Sequence, residues 1–123
     1  MTADTVNSLF TLFSAETDTE KYAPLISSAM AEVEKMLKPD ADSTDIRLDY
    51  LCASLAAVRY AQITAVKSMV SCTYGGTASR EGNAQLEYDF ARALLEEYRK
   101  YAADLLCDNG FMFSGIKEGQ SEA

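Results

Sequence analysis

Apolar residues recur along this chain at the three- and four-residue spacing of amphipathic helices, in four separable runs. Val6, Leu9, Phe10 and Phe13 predict a short opening helix of about two turns. Thr17-x-x-Glu20 has the form of a capping box, which satisfies free N–H groups at a helix start. Behind it, Tyr22, Leu25, Ile26, Ala29, Met30, Val33, Met36 and Leu37 share one stripe. Pro24 belongs in the first turn of that helix, where its missing N–H costs nothing, and Pro39 with Asp40 ends it.

A third helix is expected from Ser43 or Thr44, with Asp45 and Asp49 favoured by the positive helix end. Leu48, Leu51, Cys52, Leu55, Val58, Ile63 and Val66 form its apolar set, and five alanines between Ala53 and Ala65 keep the rest slim. A helix apolar and small nearly all round belongs in the middle of a bundle. The fourth helix is expected from about Ala84 to Leu106, with Leu86, Phe90, Leu94, Tyr98 or Tyr101, and Leu105 as its core stripe, widened by Ala91, Leu95 and Ala102.

Between the two longest helices lies SMVSCTYGGTASREGN, residues 68–83. There Val70, Cys72 and Tyr74 alternate with Ser71 and Thr73 up to Gly75-Gly76, the period-two pattern of one arm of a β-hairpin. A second irregular stretch, residues 108–123, follows the last helix and carries Phe111, Phe113 and Ile116. These two aromatics are expected either to anchor in a neighbour's pocket or to fold back as a lid on the chain's own core. The predicted fold is therefore mainly all-α: a small bundle of three to four helices with a hairpin-like loop and an irregular C-terminal tail. One domain is expected over 1–123, with its core at about 5–107.

Composition narrows the function classes. The 123 residues are 48% hydrophobic and 24% charged, within the range of ordinary globular domains. Net charge is −8, and the first 49 residues carry most of it, with no basic cluster to grip nucleic acid. An acidic surface would instead let DNA pass without sticking. The longest apolar run, Leu51 to Val66, is broken by Arg59 and Gln62, so no membrane span is expected. MTADTVNSLF lacks the basic region of a signal peptide, which predicts a cytoplasmic protein.

Chemistry is sparse. There is no histidine, which removes the commonest general base and metal ligand. Cys52, Cys72 and Cys107 form no C-x-x-C pair and read as reduced thiols in the interior. Glu87, Glu96, Glu97 and Asp104 are interleaved with Arg92, Arg99 and Lys100, the pattern of a solvated helix face. Gly75-Gly76 lacks the lysine of a phosphate loop. Cys72 is the one candidate nucleophile, and no activating base is evident beside it. No catalytic, cofactor-binding or metal-binding residue is assigned, and the chain is not expected to be an enzyme.

The order of parts carries a resemblance. A helix closed by Pro39-Asp40 is followed by an alanine-rich helix bearing Arg59-Tyr60, then the Ser/Gly loop, SREGNAQLEYDFARALLEEY, and a terminal DNGFMFSGI. From about Glu20 to Ile116 this resembles the head-tail connector (adaptor, or DNA-packaging) proteins of tailed bacteriophages and prophages. The resemblance implies a non-enzymatic subunit of a ring beneath the portal, of roughly twelve copies if it matches the portal's symmetry. Its implied partners are copies of itself, the portal protein and the next connector or tail-completion protein, with DNA passing through unbound. Val70, Cys72, Tyr74, Gly75, Gly76 and Arg80 would then face a neighbour or the channel, and Phe111, Phe113 and Ile116 would form a docking tail. The implied location is the neck of the virion, and the host cytoplasm during assembly. The competing reading is a small cytoplasmic helical regulator, antitoxin-like or blocking a host factor.

Overall fold

The computed structural model describes residues 1–75 and 78–107, with side chains outside 67–84. Within them the chain forms helices α1 (Ala3–Ser14), α2 (Ala23–Lys35), α3 (Ile46–Gly75) and α4 (Ala78–Tyr101), then a 3-10 turn at Ala103–Leu105. No strand occurs among the described residues; a single antiparallel bridge joins Leu37 to Leu106. The mainly helical bundle expected from periodicity is the fold observed.

α3 is the hub, and α1, α2 and α4 all pack on it. Leu48, Leu51, Cys52, Ala53, Leu55, Ala56 and Val58 are fully buried, so side chains pointing in every direction around the helix meet a neighbour. Alanine permits this, because small side chains let helix axes approach on several sides. α1 contributes Val6 and Phe10, α2 contributes Ile26, Ala29 and Val33, and α4 contributes Leu95, with Ala102 in the turn just after it.

Helix ends are set by local chemistry. α1 stops where Ala15 turns left-handed at φ 63°, a conformation that costs an alanine about 1 kcal/mol. The Ala15 N–H donates to the Thr11 carbonyl at 2.8 Å and the Glu16 N–H to Ser14 Oγ at 3.1 Å, which carries the chain out of the helix. The capping box expected at Thr17 and Glu20 does not form. α2 begins only at Ala23, with Pro24 in its first turn, and Asp18 Oδ1 accepts instead from the Lys21 N–H at 3.1 Å. The far end of α2 is strapped to the end of the described chain. There the Lys38 N–H donates to the Leu105 carbonyl at 3.0 Å and the Cys107 N–H to the Met36 carbonyl at 2.7 Å.

The hairpin is corrected. α3 runs unbroken through Val70, Cys72 and Tyr74 to Gly75, and α4 takes in Arg80; Gly76 lies outside the described residues. Alternation of apolar and polar side chains was too short a signal to outweigh the backbone. An isolated two-stranded ribbon is marginal in water, whereas a continuing helix closes each N–H on a carbonyl four residues back.

Arg47 ties the two ends of the long helix pair together. Its guanidinium donates to Asp45 Oδ1 and Oδ2 at 3.1 and 3.0 Å, to Asp104 Oδ1 at 2.9 Å and to the Tyr101 carbonyl at 3.0 Å. These hydrogen bonds hold both carboxyls below the usual carboxylate range. The native state therefore binds fewer protons than the unfolded chain just below pH 4, the ordinary aspartate value of about 3.9. The contribution is complete above that value and is lost as pH falls through the lower native pKa values. Arg47→Ala is expected to flatten the fall of melting temperature between about pH 4 and pH 2 without abolishing it, because Asp45 still accepts the backbone N–H of residue 47 and the Glu16 and Asp42 carboxyls are also held low. Thermal melts of both proteins across that range check this, and equal slopes would discard it.

Candidate interaction surface

The polar anchors from α1 and α2 onto α3 reach as far as Arg59 and Tyr60. Arg59 Nη2 donates to both oxygens of Glu32 at 2.8 Å, and its Nη1 reaches Ser28 Oγ at 3.3 Å. Tyr60 Oη donates to Glu16 Oε1 at 2.8 Å, while its ring meets Phe10 and Tyr22 edge-on at 5.7 and 5.0 Å. Burial, then the bond to the Glu16 carboxylate, push the Tyr60 phenol up to about 12. A second aromatic group stacks Phe13 on Tyr98 at 5.8 Å, with Tyr50 5.1 Å from Tyr98. These rings hold helices to one another, so they are occupied as packing rather than as a base-stacking platform.

Past this level the burial pattern changes. Ala61 is 7% exposed, but Ile63 is 38% and Val66 60% exposed. Residues 62–75 of α3 run on for about 21 Å at 1.5 Å per residue. The facing part of α4 behaves alike, with Leu86 52% and Phe90 67% exposed. The expected α4 core stripe is therefore wrong at Leu86 and Phe90, which face water; of the alternatives Tyr98 and Tyr101 it is Tyr98 that packs on the core, and Leu95 is fully buried as expected. Ile63 and Val66 continue the line of Arg59, which holds α2. Phe90 and Leu86 continue the line of Leu94, on the α1 side. The helix pair thus presents two apolar faces on different helices.

At the base of the second face lies a groove of about 250 Å³. Ala57 and Ala61 form its floor, Phe13 and Tyr60 its walls, and Phe90 and Leu94 the α4 edge; Glu87 is the one acid in the lining. Helical periodicity assigned most of these residues to the core, and no single run of sequence marks a groove built from three helices. The available hint was the pair Ala57 and Ala61, spaced i, i+4 opposite Ala91. Two small faces leave room between axes.

Of the residues expected to make contacts, Val70, Cys72, Tyr74 and Gly75 fall on the last turns of α3 and Arg80 near the start of α4. The side chains there, and Phe111, Phe113 and Ile116 altogether, lie outside the described residues. Cys52 is buried as expected, and burial first, with the Asp49 charge adding to it, pushes its thiol up to about 12. Cys107 is exposed, which corrects the expectation for that thiol. Among the described residues no three Cys, Asp or Glu side chains converge as metal ligands. Glu96 is paired with Arg99 at 2.9 Å and Asp104 with Arg47, as on a solvated face. No described helix is long and apolar enough to cross a membrane. Compared with known proteins, the chain matches no protein family, no curated protein and no solved structure.

Proposed function

We propose that this chain is a structural subunit of a tailed phage or prophage particle, a non-enzymatic head-tail connector that forms a ring beneath the portal. The observation that carries the reading is the α3–α4 arm with its two apolar faces, Ile63 and Val66 on one helix and Leu86 and Phe90 on the other. A subunit in a closed ring meets its two neighbours through two different surfaces, which is the demand such faces answer. A contiguous apolar surface is also costly to leave in water. The net charge of −8 suits a wall past which DNA slides without binding. In this reading the ring has roughly twelve copies, set by the portal it matches. Its location is the virion neck, with assembly in the host cytoplasm.

Pull-down by the portal protein encoded in the same genome, followed by electron microscopy of the complex, is the direct test. A ring of added density beneath the portal is expected. Absence of binding to an intact portal removes the connector reading and leaves a small helical regulator as the better account.

A further inference from the structure

We propose that the groove at Ala57, Ala61 and Phe90 receives the C-terminal segment 111–116 of a second copy of this chain. The inference rests on the assembly reading above in one respect, that the chain meets copies of itself. Two features of the occupant follow from the groove. Its lining is apolar apart from Glu87, Ser14 and the Tyr60 hydroxyl, which is engaged by Glu16, and its 250 Å³ exceeds the roughly 150 Å³ that holds one benzene ring, leaving space for a second apolar group. Phe111, Phe113 and Ile116 supply such groups within six residues, and Lys117 directly after them can approach Glu87.

Chain length favours a neighbour's tail over the molecule's own. The described chain ends at Cys107, held by the Met36 carbonyl, and Arg47 grips Asp104 just before it. The tail thus departs from the Arg47 end of α3, on the edge formed with α2. Ala57 and Ala61 stand about 15 and 21 Å further along the α3 axis at the rise of a helix. Phe111 reaches at most about 14 Å beyond Cys107 fully extended, and Phe113 about 21 Å. The route must also pass from the α2 edge round to the α1–α4 side. Phe111 needs the full length of its ring to come level with Ala57, and only Phe113 and Ile116 have chain enough for the detour, so the molecule's own tail could not seat all three groups in the groove. A copy set beside the first meets neither restriction. Each chain then gives a tail on one side and offers a groove on the other, a head-to-tail contact that closes into a ring.

The test uses the full chain with photoreactive benzoylphenylalanine in place of Phe113, mixed with an excess of isotope-labelled unmodified chain at about 1 mM, where even a millimolar contact is populated. Irradiation is expected to give light–heavy adducts at Phe90, Leu94 or Tyr60. With Phe90→Ser in the labelled chain, a change at an exposed position, these adducts should fall several-fold while the melting temperature holds. Adducts confined to the light chain would make the tail a lid on its own body and overturn the proposal. So would adducts elsewhere on the labelled chain, or none. The portal experiment separates the two claims. Portal binding without light–heavy adducts removes only the tail contact, and adducts without portal binding remove only the connector.

Discussion

Phe10→Ala is expected to destabilise the protein by about 3–5 kcal/mol, the cost of truncating a fully buried phenylalanine. Phe10 has no exposed surface, and its ring is the meeting point of α1, α2 and α3 through Tyr60 at 5.7 Å and Tyr22 at 6.2 Å. Losing it removes transfer free energy and leaves a void that rigid neighbours fill only in part. It also strips one edge-on partner from Tyr60. For a domain of this size the melting temperature should drop on the order of 10–20 °C. A total stability of about 5–15 kcal/mol leaves little margin after such a loss. Phe10→Leu, which keeps most of the volume, should cost much less. Urea unfolding of the three proteins gives the comparison through their midpoints. A loss below about 1 kcal/mol for Phe10→Ala would mean that α1 is not docked on α3 through this ring.

Ala56→Leu tests the opposite limit. Ala56 is fully buried on the hub helix, between fully buried Leu55 and nearly buried Ala57. Added methylenes there have no void to enter, so they force a neighbouring helix outward or side chains off their rotamers. The expected cost is about 1–3 kcal/mol, larger if two interfaces open at once. Val66→Ala on the same helix, at a 60% exposed position, should stay within about 0.5 kcal/mol. Melting curves of the pair read the contrast directly. Equal effects would show that burial of α3 does not fall away along its length.

The contrast between those two sites also marks what the sequence could show. The start of α3 is legible to within a turn, at Ile46 rather than at Ser43 or Thr44, because it is Asp45 that caps it, accepting the Arg47 N–H at 2.9 Å; the buried run 48–58 is legible from its alanines. The start of α2 was not, because Thr17 and Glu20 offered a good local cap while Glu16 was drawn away to Tyr60. Period-two alternation at Val70, Cys72 and Tyr74 mimicked a strand, since five residues are too few to separate the two periods against tertiary packing. Leu86 and Phe90 read as core for a different reason. Periodicity reveals that a helix has an apolar face, but it does not say whether the cover for that face lies in the same chain. The groove was least legible, being made by three helices from residues as far apart as Phe13 and Leu94.

α3 serves both the body and the projecting arm without interruption, and between Ile46 and Tyr74 it contains neither proline nor glycine. Sharp bends in helices arise chiefly at such residues, so this rod has no built-in joint. A sideways load on its Gly75 end is carried as torque straight to Leu55 and Leu51, where α1, α2 and α4 are clamped on. The same helix that organises folding thus makes the molecule mechanically stiff from core to tip. Any object pressing on the arm would have to tilt the whole subunit.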